Sequence, residues 1–445
     1  MSYRVANVTS TALLTDQYEL TMISAALAAG TADRRCVFEV FARRLPDGRR
    51  YGVVAGTGRL LDELADFRFT DDELRALTGI VDEATLDWLA GYRFSGEIDG
   101  YAEGELYFPG SPVLTVRGGF AEAVILETLV LSILNHDSAI ASAAARMVSA
   151  AAGRPIIEMG SRRTHERAAV AAARAAYLAG LTATSNLEAA RTYGVPSAGT
   201  AAHAWTLSFA GSGGERAAFA AQIARLGTGT TLLVDTYDIT TGVRNAIEVA
   251  GPELNAVRID SGDLGMLARQ VRQQLDDLGA TRTKIVVSGD LDEYAIASLR
   301  AEPVDIYGVG TSLVTGSGAP TAGMVYKLVE VDGIPVSKRA SHKESRGGAK
   351  RAVRTARDTG TVVEEILYRD GTALPPDAAG TLNVRELQIP LVRGGDRVDG
   401  LPTLTDARTH LARGLVSLPW EGLGLSHGEP AIGTRFADTP TPETP

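Results

Sequence analysis

Residues 256–310 read AVRIDSGDLGMLARQVRQQLDDLGATRTKIVVSGDLDEYAIASLRAEPVDIYGVG, and their pattern decides the fold. Three short runs, Ala256–Asp260, Lys284–Gly289 and Val304–Gly310, are rich in Val and Ile and too short to be buried helices. Between them, 264–277 and 292–301 carry apolar stripes at helical spacing. Two more strands lie upstream, Thr231–Tyr237 and Pro155–Met159, the latter bracketed by Ala-rich helical stretches at 120–152 and 166–179. Strand–helix alternation sustained from 155 to 310 implies a parallel sheet, open or closed into a barrel.

The flanks have another texture. A helical pattern from Thr15 to Ala29 stops at Gly30 and is followed by a strand over 36–43. Thr70-Asp-Asp-Glu73 reads as a helix start with acids in its first turn. Segments 96–108 and 112–117 alternate apolar and polar residues, as a small antiparallel sheet does. Beyond Met324 β character returns over 324–333, followed by a basic stretch from Lys338 to Arg354 in which Glu344 is the only acid. The last residues are rich in Pro, Thr and Gly, which predicts a loose tail.

Composition narrows the function. Of 445 residues, 44 are basic and 54 acidic, a net charge of −10, so no basic stripe exists to neutralise nucleic-acid phosphates. None of the Lys residues (284, 327, 338, 343, 350) follows a Gly, which excludes a Walker A loop. Cys36 stands alone, and no HExxH or CxxC spacing occurs. The N-terminus lacks the apolar core of a signal peptide, and the most apolar windows are broken by Glu122, Glu127 and Arg174. The expectation is a soluble protein of a reducing, cytoplasmic compartment, bound neither to membrane nor to nucleic acid.

Polar residues crowd the C-terminal ends of the strands, where parallel α/β folds build their sites. Pro155–Met159 runs into Gly160-Ser-Arg162-Arg163, Ala256–Asp260 into Ser261-Gly-Asp263, and Lys284–Ser288 into Gly289-Asp290. The run at 304–310 leads into Thr311. Small residues at Ser288–Asp290 and Gly308–Thr311 allow backbone N–H groups to approach a phosphate closely. Arg258 and Asp260 within one strand are either site residues or a buried structural ion pair. His203, after the Gly199-Thr200 turn, is a nucleophile, a base or a satisfied core histidine. His136 suits a helix cap, with Asp137 and Ser138 beside it. Val234-Asp-Thr-Tyr-Asp238 followed by Thr-Thr-Gly242 is similar to a phosphoribosyl diphosphate motif, although there the two acids are adjacent.

Taken in order, these clusters resemble the nicotinate phosphoribosyltransferase family. Thr15-Asp-Gln-Tyr18-Glu-Leu-Thr-Met22, Phe38–Phe41 and Arg44-Leu-Pro46 match its N-terminal signature. Glu158–Arg163, Gly199-Thr200 with His203, Val234–Asp238, Arg258–Asp263, Ser288–Asp290, Gly308–Thr311 and Val325–Leu328 follow in the family's order, covering roughly 11–355. The resemblance implies a type II phosphoribosyltransferase, an irregular α/β barrel with a β-rich α+β domain formed from both termini. On that basis 1–120 is the N-terminal part of the α+β domain, 121–325 the catalytic barrel, 326–425 the returning part, and 426–445 the tail. The implied reaction joins nicotinate to 5-phosphoribosyl 1-diphosphate, giving nicotinate mononucleotide and pyrophosphate. ATP serves as co-substrate, Mg²⁺ as cofactor, and a homodimer shares its sites.

Carried over residue by residue, the resemblance makes His203 the phosphohistidine and Tyr18 the residue that stacks on the pyridine ring from the partner subunit. Arg258, Thr200 and Arg162 would contact nicotinate, Arg162 lying near its carboxylate or the diphosphate. Asp260 would hold ribose hydroxyls or the metal. Ser288, Gly289, Asp290, Gly310 and Thr311 would cradle the 5′-phosphate. Met159 stands where the family usually has Phe, and a thioether packs on an aromatic face as well. The basic stretch lacks the family's usual Asn/Pro pattern and is either a solvated loop or an ATP or diphosphate contact. Three alternatives stay open: a phosphosugar aldolase or isomerase, a metabolite-binding regulator, and transfer to nicotinamide or quinolinate. The strands offer no Schiff-base Lys, because Lys284 opens its strand on the wrong face.

Overall fold

The computed structural model describes residues 10–338, 346–374 and 383–437. They fall into two compact units, Ile140–Pro320 and the two chain ends up to Ala139 and from Thr321. The central unit holds six strands: β1 (Ile156–Glu158), β2 (Ala183–Thr184), β3 (Thr231–Leu233), β4 (Ala256–Ile259), β5 (Lys284–Val287) and β6 (Ile306–Val309). All pair in parallel, in the order β2-β1-β6-β5-β4-β3. The alternation expected from 155 to 310 is therefore present, with β2 added.

The sheet curls into half a barrel and does not close, β2 and β3 being its edges among the described strands. At the β2 edge the chain covers itself: Thr184 donates its N–H to the Pro196 carbonyl and accepts from Ala198 N–H, both at 2.9 Å. An edge satisfied by its own loop needs no partner strand. Val257, Ile259, Ile285, Val286 and Val287 are buried, and helix Leu264–Asp277 lays Ala268, Val271 and Leu275 inward at helical spacing. Three acids that follow strands start the next helices. Asp238, Asp263 and Asp292 accept N–H groups of Thr241, Met266 and Ala295. Asp238, the second acid of the diphosphate-like motif, is thus a cap.

In the terminal unit, Arg35–Ala42 pairs antiparallel with Met324–Val331 and Leu114–Gly119, and the sheet continues through Glu97–Tyr101 to Gln388–Arg393. Phe38 and Tyr326 stack across it, centroids 4.9 Å apart. Thr70 begins its helix with a capping box completed by Glu73. A second sheet contains Lys350–Ala356 and Val362–Arg369.

Four expectations change. Gly433–Phe436 is no loose tail but a strand parallel to Val362–Arg369, anchored by buried Ile432 and Ala437; residues 438–445 lie outside the described ones. His136 caps nothing, since it sits inside helix Glu127–Ala151, where Arg59 grips its neighbour Asp137 at 2.9 and 3.0 Å. Helical residues Phe120–Ala151 pass the length and composition test for a membrane span, yet 67 % of the most apolar window is buried, as in a core helix. In the basic stretch, Lys350 lies buried 2.7 Å from Glu39, and buried Arg354 bridges Glu105 and Glu365. These two cations neutralise buried acids and form no solvated loop. Residues 339–345 of that stretch lie outside the described ones.

Candidate active site

Parallel strands deliver their C-terminal ends to one side of a sheet, and the end of β4 carries the best-connected group. Arg258 donates from Nε to the Ser288 hydroxyl at 2.8 Å, and from its two terminal nitrogens to Asp260 at 2.6 Å and Thr200 at 3.2 Å. Ser288 donates its own hydroxyl hydrogen bond to the same Asp260 oxygen, Oδ1. Burial works to raise the Asp260 carboxyl. The hydrogen bonds from Ser288 and Arg258, with the charges of Arg258 and His203, outweigh it and hold the group below the ordinary carboxylate range. Asp260 is therefore an anion at neutral pH. Three of the five guanidinium N–H donors are occupied, which leaves two for a ligand.

A cleft of about 140 Å³ opens here, lined by Met159, Arg162, Arg163, Arg258, Asp260, 288–290 and 308–311. Its floor is backbone. Gly289 takes φ +128°, and a Cβ there would stand 2.6 Å from the Asp260 carbonyl oxygen, so only glycine fits. Asp290 adopts φ +49°, and the Thr311 hydroxyl reaches its carboxylate at 3.4 Å. Met159 lies across Gly308, where a Cβ would come within 2.9 Å of the thioether sulfur. Arg162 and Arg163 are exposed on the loop after β1. At the base of that loop buried Glu158 accepts from Gly160 N–H and the Thr184 hydroxyl, while burial keeps its carboxyl above the usual range.

His203 opens the short helix His203–Leu207, and its side chain is 40 % exposed. Its Nδ1 is 3.1 Å from the Thr236 hydroxyl and its Nε2 is 4.0 Å from Oδ1 of Asp235. Asp235 is buried. Its Oδ2 accepts from Asp260 N–H at 2.8 Å and the Ser261 hydroxyl at 2.9 Å, whereas Oδ1 has no hydrogen-bond partner and is the oxygen near the imidazole. The imidazole is thus part-exposed, with the Thr236 hydroxyl at one ring nitrogen and the Asp235 carboxylate near the other. The sequence assigns Asp235 and Thr236 no separate role. Their sequence signal is the diphosphate-like motif at 234–242, which does not say that Asp235 faces His203.

Most of the expected residues therefore meet. Arg258 gathers Thr200, Asp260 and Ser288, and Asp260 is joined through Asp235 to His203. Gly310 lines the cleft, and a Cβ there would meet nothing closer than 3.6 Å. Tyr18 stands in the terminal unit on helix Gln17–Ala28 and is 46 % exposed. Burial, then Glu127 and Glu19, push its phenol up. Among the described residues no three His, Cys, Asp or Glu side chains cluster as a metal cage.

Known proteins resemble the chain over most of its length. Residues 13–135 match the nicotinate phosphoribosyltransferase (NAPRTase) N-terminal domain, and 155–359 match the NAPRTase family. Nicotinate phosphoribosyltransferase pncB1 of Mycobacterium tuberculosis is 67 % identical over 428 residues, 95 % of this chain and 94 % of its own. The nicotinate phosphoribosyltransferase of Homo sapiens is 31 % identical over 479 residues, covering 89 % of each. The crystal structure of human nicotinic acid phosphoribosyltransferase superposes with a TM-score of 0.83 at 27 % identity, over 95 % of this chain and 98 % of that one. With two family domains spanning most of its length and a relative 67 % identical over 95 % of it, the chain belongs to the nicotinate phosphoribosyltransferase family.

Proposed function

We propose that the protein joins nicotinate to 5-phosphoribosyl 1-diphosphate at the cleft beside Arg258, releasing pyrophosphate. It is a nicotinate phosphoribosyltransferase of NAD salvage. The observation that carries the site assignment is the Arg258 guanidinium, held at a strand end by three hydrogen bonds with two donors to spare. A fork so fixed suits a planar carboxylate. The Gly289–Asp290 and Gly310–Thr311 backbones opposite would receive the 5′-phosphate, and Arg162 the diphosphate or the carboxylate.

Cleavage at ribose C1 builds positive charge on the sugar and negative charge on the leaving pyrophosphate. The residues need only align the base with C1 and meet those charges, since no covalent sugar intermediate is required. Asp260, ionised and beside the cleft, would face the developing sugar cation or bind ribose hydroxyls. Met159 would pack on the pyridine ring, and Tyr18 of a second subunit would stack on its other side, which makes the enzyme a homodimer with shared sites. Asp260 also fits Mg²⁺, because both of its hydrogen bonds fall on Oδ1 and leave Oδ2 open; the ion would neutralise diphosphate charge there.

His203 would take the γ-phosphoryl group of ATP. Its solvent-facing ring suits an incoming phosphate, and Asp235 would steady the charged imidazole. The compartment consistent with the composition is the cytoplasm. The test is to incubate the protein with 5-phosphoribosyl 1-diphosphate, Mg²⁺ and nicotinate, nicotinamide or quinolinate in turn, and to follow pyrophosphate. Release with nicotinate at least about a hundredfold faster than with nicotinamide is expected, because a site built around a carboxylate rejects an analogue lacking that anion by that factor or more. Equal turnover of nicotinamide would overturn the assignment.

A further inference from the structure

The two loops that face the cleft, one after β5 and one after β6, are tied together again by the elements that follow them. Helix Glu293–Ser298 begins three residues past Asp290, and its first residue, Glu293, is 1 % exposed. The Glu293 carboxylate is 3.0 Å from the buried Arg146 guanidinium, and its other oxygen accepts the Ser317 hydroxyl. Ser317 follows the short helix Thr311–Val314 that continues from Gly310, and its N–H donates back to the Ser312 carbonyl at 2.6 Å. Arg146 also reaches the Tyr294 hydroxyl at 3.3 Å. One buried carboxylate thus holds an element of each loop.

The backbone around this contact is tight. Ser317 sits at φ +49°, in the left-handed region that a non-glycine residue seldom adopts, and Asp290 on the partner loop sits at the same φ. Gly316, at φ +70°, has no room for a Cβ, which would lie 2.2 Å from the Ala319 carbonyl. A turn this constrained presents its hydroxyl in one direction. The Thr311–Asp290 contact joins the two loops at the cleft, and the Ser317–Glu293 contact joins the elements that follow them.

We propose that Arg146, Glu293 and Ser317 form a clasp that sets the spacing of the two phosphate loops, making Ser317 and Glu293 positioning residues for 5-phosphoribosyl 1-diphosphate. The inference rests on the reading above that these loops receive the 5′-phosphate. Backbone N–H groups bind an anion well only if their spacing is set beforehand, because ordering the loops on binding costs affinity. The Ser317 hydroxyl ties the β6 loop to the Glu293 carboxylate that follows the β5 loop, through a hydrogen bond to a charged acceptor.

The experiment uses the full chain and two variants: Ser317→Ala, which deletes the hydroxyl, and Ser317→Gly, which deletes it and also relieves the backbone at φ +49°. Initial rates are measured with each substrate varied at saturating levels of the other. In parallel, hydrogen exchange of segments 288–293 and 310–317 is followed in the wild type with and without 5-phosphoribosyl 1-diphosphate and Mg²⁺. Both variants are expected to raise KM for 5-phosphoribosyl 1-diphosphate by about tenfold, the worth of one charge-assisted hydrogen bond. KM for nicotinate should stay within twofold, and Ser317→Gly should show the rise even though its backbone is relaxed. Wild-type loops that gain no protection with the diphosphate overturn the phosphate reading and the clasp with it. Protected wild-type loops with unchanged KM in both variants overturn the clasp alone, and a drop in melting temperature without a KM change assigns Ser317 to stability only.

Discussion

Arg258→Ala tests the centre of the site. Three hydrogen bonds disappear, to Ser288, Asp260 and Thr200, along with the two N–H donors offered to a substrate carboxylate. Asp260 keeps the Ser288 hydroxyl but loses its cation, so its carboxyl moves upward from its lowered position. The sign for stability follows. A depressed folded carboxyl contributes stability that is present at neutral pH and lost as pH falls, so the variant should lose less stability than the wild type on acidification. Leaving that partly buried acid with one partner costs about 1–3 kcal/mol, too little to unfold a protein with cores of this size. Loss of a buried charged contact to the ligand costs about 2–5 kcal/mol, which corresponds to about 30-fold to a few thousandfold in kcat/KM for nicotinate. Arg258→Lys should recover part of the melting temperature and little of the activity, because an ammonium cannot fork. The assays are pyrophosphate release against nicotinate concentration and thermal melts between pH 4 and 8. A variant with wild-type kcat/KM for nicotinate and a lowered melting temperature would refute the reasoning, leaving Arg258 as a structural ion-pair partner.

Other outcomes follow from the same geometry. His203→Ala should abolish acid-labile labelling from γ-labelled ATP and remove ATP stimulation, while slow ATP-independent transfer remains; labelling that persists in the variant excludes His203. Gly289→Ala forces a Cβ to within 2.6 Å of a carbonyl oxygen at φ +128°, so 5-phosphoribosyl 1-diphosphate binding, read by calorimetry, should weaken more than nicotinate binding. Lys350→Ala removes the ammonium from the buried Glu39 carboxylate, leaving the backbone N–H of residue 350 on it, and should destabilise by about 3–5 kcal/mol in denaturant melts, whereas an unchanged midpoint would return Lys350 to a ligand role. Burial raises the Glu19 carboxyl to about 7, so its contribution to stability fades as pH climbs toward that value; Glu19→Gln should gain on the wild type between pH 5 and 8 and match it near pH 4.

What sequence by itself determined is what local pattern can encode. The short Val- and Ile-rich runs between amphipathic helices specify parallel strands, because their buried faces leave no other arrangement. Polar residues at the ends of those runs mark the site, and Gly289 announces a backbone no other residue tolerates. The capping box at Thr70 is equally local. Contacts between residues distant in sequence needed the tertiary structure. Nothing in VRID distinguishes a structural ion pair from a site guanidinium; that takes Thr200 and Ser288, delivered by other segments. Asp235 and Asp238 look alike in sequence, yet one turns a carboxylate oxygen toward His203 while the other caps a helix, since only the chain path beyond β3 decides which side each faces. Lys350 and Arg354 read as a basic stretch until Glu39, Glu105 and Glu365 are folded against them. The Ser317 turn likewise carries no periodicity, and its meaning comes from a carboxylate on another loop.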